Sequence, residues 1–393
     1  MKILKKMFFL SFILILLFAS FVWGEGENIT PEKIINKQIQ ELPISEIEGI
    51  INNFSNEIED YIPKINIREY IIDIIRGNNK VRVTMIVEGF GKILFKEVLA
   101  NWKLLVEIIV LSAICAVLKN LHSAFQDDAV AHMSYNVCYL VIISITIKSF
   151  IIAINIGRET IDLMVSFMQA LMPVLLTMLV AVGGITTSAF FSPVILGAVA
   201  FTGTLIKNII MPLILFSAVL AIVNNLSSKI QIGKMSGLIK QAAGLMLGFI
   251  LTVFVGVISI QGVTAATIDG VTIRTTKFAV DKFVPIVGSF LSDAIDTVVG
   301  CSLLVKNAIG SMGLIFILLL CMVPMIKILA LIIIYKLSAA LIEPISDDGL
   351  VDCLNSMGNS LVFLFAAVVS VAIMFFITIG VIVATGNITT MMR

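Results

Sequence analysis

Between Pro285 and Lys306, the residues Ser289, Asp293, Asp296 and Gly300 follow one another at spacings of four, three and four. On a helix those spacings place both carboxylates on one face, one turn apart, opposite a face of Ile, Val, Leu and Phe. Paired carboxylates serve either acid–base catalysis or the handling of charge inside a membrane. Catalysis needs a nucleophile or base beside them, and neither histidine, His122 or His132, is near in sequence. We therefore expect no catalytic residues and no enzyme. The surrounding stretch, Thr264 to Gly310, balances Asp269, Asp281, Asp293 and Asp296 against Arg274, Lys277, Lys282 and Lys306. It is too polar for an ordinary span and too apolar for an ordinary loop. As a helix, Pro285–Lys306 would reach ~33 Å, enough to enter or cross a bilayer. Two arrangements fit the pattern. One is a pore-lining or partner-contacting face built from Asp269, Arg274, Lys277, Asp281, Ser289, Asp293, Asp296, Lys306 and Lys327. The other is an amphipathic helix resting on the outer membrane surface with its aspartates in water.

Two further patterns concern how helices pack. Gly244, Gly248, Thr252 and Gly256 recur every four residues, a small-residue stripe that lets helix backbones approach in lipid, within one chain or between protomers. Pro324 and Lys327 interrupt an apolar run, as Pro173, Pro193 and Pro212 interrupt earlier ones. A proline inside a span frees a backbone carbonyl and bends the helix. Lys327 is then free to pair with an aspartate of the 264–310 region or to lie near an interface. No GxxxxGK[ST] phosphate loop occurs, and Gly89-Phe90-Gly91-Lys92 lacks its spacing. The five cysteines are scattered without a CxxC pair, as isolated buried thiols are. No cofactor and no metal are expected.

The elements that must position these residues are set by composition. Hydrophobic residues make up 59% of the chain and charged residues only 13%, where soluble domains carry about a quarter charged. Net charge is +1, which leaves no footprint for nucleic acid. Residues 1–24 read as a signal peptide: Lys2, Lys5 and Lys6, an apolar stretch from Met7 to Phe18, and Val22-Trp23-Gly24 before the cut. An uncleaved anchor is the alternative. Residues 25–102 form a polar extracytoplasmic helical segment, because residues 25–100 hold 22 of the chain's 53 charged residues (27 basic plus 26 acidic). Its last part, Val87–Trp102, has one apolar face and lies on the membrane. Residues 103–393 form the membrane domain, in which 264–310 is amphipathic and either re-entrant or pore-lining.

The expected fold is an all-α, polytopic transmembrane helix bundle of about eight spans, seven to nine, with a lipid bilayer as its main solvent. The spans fall near Leu104–Leu118, Val137–Ile156, Leu163–Val182, Ala189–Leu205, Ile209–Val223, Gly244–Gly262, Gly313–Tyr335 and Ser360–Ala384. With the polar segment outside, Asn224–Ala243 is cytoplasmic. It carries Lys229, Lys234 and Lys240 and no acid, as the positive-inside rule requires. Its apolar spacing predicts a helix lying along the inner surface.

Several strings in this stretch resemble the stage III sporulation protein AE family of endospore-forming Firmicutes. They include Gly256-Val-Ile-Ser-Ile-Gln-Gly262, Asp269-Gly-Val-Thr-Ile-Arg-Thr-Thr-Lys-Phe278, Phe283-Val-Pro-Ile-Val-Gly288 and Ser292-Asp-Ala-Ile-Asp-Thr-Val298. Leu304-Val-Lys-Asn307, Ile334-Tyr-Lys-Leu337, Gly386-Asn-Ile-Thr389, Met164-Val-Ser-Phe-Met168 and the pair Gly183-Gly184 extend the likeness. It runs from about residue 85 onward. The resemblance implies a mother-cell membrane protein in the outer membrane around the forespore. There it would join other stage III membrane proteins and a forespore membrane partner in a channel or secretion-like complex that supports late development. The polar head would project into the intermembrane space. A permease for a small solute, a non-conducting scaffold, and a homo-oligomeric pore are the competing expectations.

Overall fold

The computed structural model describes residues 30–57, 66–78, 83–124, 129–226, 232–283, 288–346 and 348–391. The signal-peptide expectation for residues 1–24 therefore lies outside the described residues. Three short helices come first: α1 (Pro31–Glu41), α2 (Ser45–Glu57) and α3 (Ile67–Ile75). Pro31 opens α1 at a position where its missing N–H costs nothing. Asn66 starts α3 by accepting from Arg68 N at 3.2 Å and Glu69 N at 3.4 Å.

Longer helices follow: α4 (Val83–Ala100), α5 (Trp102–Ala124), α6 (Ala129–Ala181), α7 (Ile185–Leu205), α8 (Met211–Leu226), α9 (Gly233–Phe283), α10 (Gly288–Ile342) and α11 (Asp348–Met391). Five rods are long and apolar enough to cross a membrane: 136–181, 185–225, 233–262, 293–342 and 348–388. The pair Gly89–Ala100 and Trp102–Leu118, bent by 44°, makes a sixth when counted as one span.

Among the described residues this count is below the expected eight, for a local reason. The two spans expected at Val137–Ile156 and Leu163–Val182 are one continuous helix, α6. The charges between them, Arg158, Glu159 and Asp162, suggest a loop in the sequence, yet glutamate and arginine are good helix formers. Ala189–Leu205 and Ile209–Val223 likewise join through a wide turn, Ile206–Ile210, with i→i+5 bonding. That turn stops just short of Pro212, which has no N–H for the carbonyl four residues back. Pro173 and Pro324 lie inside unbroken helices. Residues 233–243 are also not a surface helix. They are the first turns of α9, fixed at the corner by Asn224 Oδ1 accepting from Ile232 N and Gly233 N. Ser217 and Ser236 each donate to the other's carbonyl, at 3.1 and 2.8 Å.

Contacts between rods give the register. At one end Tyr139 donates to the carbonyls of Asn225 and Gly349. Further along, Gly157 faces Met211, Leu364 and Val368, and Lys207 pairs with Asp162 at 2.5 Å. At the far end Lys306 meets α11 at Val383. Tyr139 to Gly157 is about 27 Å of helix, and Gly157 to Ala181 about 36 Å. The bundle thus has two tiers with a belt of charge between them. The helix α5 accompanies the first tier against α6 and α10, whereas α4 lies on α10.

The helices α10 and α11 form the centre. Close approach there uses glycine: a Cβ on Gly310 would run into Val383, and one on Gly313 into Leu171. The polar head is not a free domain. Ile39, Ile44, Ile47, Ile51, Ile67 and Ile71 belong to the same apolar core as the long helices. Gln38 Nε2 donates to Ser302 Oγ at 2.7 Å, and Tyr70 stacks edge-on against Phe316 at 6.3 Å. The head therefore sits on the second tier of α10. Burial there pushes the Tyr70 phenol above its ordinary value.

Candidate functional site

The fold separates the described residues that were expected to share one face. Asp269, on α9, is buried, and its carboxylate accepts from Thr186 N at 3.0 Å and Thr187 N at 2.8 Å. These are amides of the first turn of α7, whose N-cap, Gly184, has no side chain to satisfy them. Orphan amides and the positive end of the helix dipole hold the carboxylate. Gly183, just before, takes φ +99°, and a Cβ on Gly184 would meet Leu179, so the Gly183-Gly184 pair makes the tight corner between α6 and α7 possible. Asp269→Ala is expected to lower stability by about 2 kcal/mol and Asp269→Asn by about half that, since one acceptor survives. Thermal unfolding of the detergent-purified protein reads the difference.

Lys306 is fully buried, and its Nζ donates to the Val383 carbonyl at 2.8 Å, against Gly386. It ties α10 to the last turns of α11. Asp293 and Asp296 are exposed near the start of α10, as are their neighbours Ile295 and Val298. Arg274 is exposed. Of Lys277, Asp281 and Ser289 only the helical backbone is described, and Pro285 lies outside the described residues. In the expected small-residue stripe, Gly244 packs on Phe363, Gly248 and Gly256 have no neighbour within 4 Å, and Thr252 is exposed. Beyond Gly244, an added Cβ at the stripe's glycines would meet no neighbour among the described residues. The glycines that do allow close approach, such as Gly157, Gly262, Gly310 and Gly386, follow no single stripe.

Among the described residues, no ion pair joins Lys327 to Asp269 or Asp293. The lysine lies across a cleft of about 420 Å³ from the junction of α4 and α5. Glu97 and Asn101 come from that junction and Glu107 from α5, while Lys148 and Ser149 come from α6. Leu104, Ile145, Ile152, Ile156 and Leu331 form its apolar walls. Asn101 Nδ2 donates to the Glu97 carbonyl at 2.9 Å, which satisfies the helix end where the chain bends. Ser149 bonds the Tyr335 hydroxyl at the back of the cleft. Lys103 approaches Glu107 at 3.8 Å. Among the described residues, no ion pair within 4 Å engages Glu97, Lys148 or Lys327. Sequence reading singled out Lys327 but neither glutamate, because Glu107 lies four residues from Lys103 on its own helix and Glu97 next to Lys96 in the chain.

Rods of membrane length, apolar on the outside and carrying a mixed-charge cleft at mid-height, define a multi-pass helical membrane protein. The chain belongs to the stage III sporulation protein AE family: the family model described as "Stage III sporulation protein AE (spore_III_AE)" matches residues 65–386. It is 37% identical over 369 residues to the stage III sporulation protein AE of Bacillus subtilis (strain 168), covering 94% of this chain and 92% of the relative. No solved structure matches it.

Proposed function

We propose that this protein is the large membrane component of a sporulation channel or secretion-like complex linking mother cell and forespore, and that it acts without catalysis of its own. The observation that carries this reading is the height of the bundle. Helices of 51 to 55 residues, α6, α9 and α10, reach about 80 Å, while a hydrocarbon core is ~30 Å thick. The second tier carries the head, with Glu32, Lys33, Lys37, Glu41 and Glu46 exposed. Such charges are costly in lipid, so the first tier is the one that fits the bilayer. The second tier then stands in the space between the two membranes as a docking platform for other stage III membrane proteins and a forespore partner. Six crossings of the first tier keep head and C-terminus outside, with the 224–234 corner and its lysines in the cytoplasm, as the positive-inside rule favours.

Photo-crosslinking in sporulating cells tests this. Reactive residues at Ile185, Phe190 and Asp293, all exposed in the second tier, are expected to capture other sporulation membrane proteins. Residues at Leu140 and Leu238 in the first tier are expected to capture lipid. Capture restricted to the first tier would overturn the platform. A permease is the second reading, favoured by a cleft whose volume falls in the small-molecule range. Solute uptake by liposomes holding this protein alone would establish it.

A further inference from the structure

We infer that the cleft between α4–α5, α6 and α10 is a headgroup site for an amine-bearing zwitterionic phospholipid of the phosphatidylethanolamine type. The first argument is depth. Tyr139 to Gly157 spans about 27 Å, close to the ~30 Å of a hydrocarbon core, so the belt at Gly157, Asp162 and Lys207 lies at headgroup level when the first tier fills the bilayer. The cleft runs down from that belt, from Ile156 past Lys148, about 13 Å below Gly157, to Ile145, so its charges would draw a headgroup inward from the usual headgroup level. Trp102, 54% exposed, begins α5 after the 44° bend, between the lining residues Asn101 and Leu104, and exposed tryptophan is characteristic of the membrane–water interface.

The second argument is charge. Lys148 and Lys327 supply two ammonium groups, and Glu97 and Glu107 two carboxylates. Among the described residues, the one ion pair that engages this set is the long contact of Glu107 with Lys103. A phosphate fits the lysines as an anion and a primary ammonium fits the glutamates as a three-donor cation. An anionic headgroup would leave the glutamates facing it with no cation of its own. A quaternary amine would offer them no hydrogen bond. The third argument is shape. Lys148, Ile152 and Lys327 on the rim are exposed, and the Ile and Leu walls continue the apolar flank on which acyl chains lie. A water-soluble zwitterion has no use for those walls. The inference does not rest on the sporulation reading; it requires only that the first tier lie in lipid.

The test uses the full chain in nanodiscs of equal parts phosphatidylethanolamine, phosphatidylcholine and phosphatidylglycerol, followed by gentle extraction and mass spectrometry of retained lipid. The wild type is expected to retain phosphatidylethanolamine at least 10-fold over the other two. Lys148→Gln with Lys327→Gln should remove that retention, and Glu97→Gln with Glu107→Gln should equalise the three headgroups. Ile152→Trp, at an exposed position where folding is spared, should lower retention of all three. Millimolar glycerophosphoethanolamine should fail to displace the lipid. Equal retention of the three lipids by the wild type, unchanged retention in both double variants, or displacement by the soluble headgroup would each overturn the assignment.

Discussion

Lys306→Glu is expected to prevent accumulation of folded protein, with a loss of at least about 3–5 kcal/mol, the range for an uncompensated buried charge. The lysine is fully buried, and its ammonium donates to the Val383 carbonyl. A carboxylate there would face that carbonyl oxygen in a site sealed from water. Lys306→Met is the informative companion. It keeps the volume and removes both charge and donor, while the Val383 carbonyl retains its place in the helix ladder of α11. We expect Met to cost no more than about 1.5 kcal/mol. Protein level in membranes and the thermal midpoint after purification separate the two. If Met proved as damaging as Glu, the ammonium itself would be required, and Lys306 would have a role beyond tying helices together.

Gly310→Leu carries the second large effect. A Cβ at Gly310 would run into the Val383 side chain, so a leucine must push α10 from α11 at the centre of the bundle. Overpacking of this kind costs about 3 kcal/mol, and it acts on the helix pair that supports the head. Gly248→Leu is the control: it has no neighbour within 4 Å, and the added side chain restores helix propensity worth about 1 kcal/mol. Thermal unfolding should place the two variants on opposite sides of the wild type. A Gly248→Leu protein as damaged as Gly310→Leu would mean that the outward stripe on α9 is covered in the assembled protein.

The helical class and the apolar segments were legible because hydrophobic runs and 3.6-residue periodicity are local properties. Val87–Trp102 was read as an amphipathic helix lying on the membrane ahead of the first span; the structure has the helix α4 there, bent by 44° into α5 at Asn101. Helix continuity was less legible. Gly157 to Asp162 has the composition of a loop, and only the neighbouring rod shows why it stays helical: Lys207 supplies the partner for Asp162. The same limit explains the site. Asp269 was singled out for its position among apolar residues, but its partners, Thr186 and Thr187, are more than 80 residues away. Nothing in the spacing distinguishes a carboxylate that caps a distant helix from one that lines a pore. Glu97 and Glu107 meet Lys148 and Lys327 only because α4 bends into α5 beside α6 and α10, a convergence with no trace in any single helix.

The seating of the head on α10 has a consequence for biosynthesis. Ile39, Ile67 and Ile71 leave the ribosome early, yet the helix that α1 and α3 rest on, α10 from Cys301 to Phe316, follows about 230 residues after Ile71. At a synthesis rate of ~5–20 residues per second, that is a wait of roughly ten to fifty seconds. During it the isoleucine faces of α1 and α3 lack the α10 surface they finally cover, a state prone to misassembly or capture by other factors. The head is therefore made first and seated last, and its docking reports that α10 has been inserted.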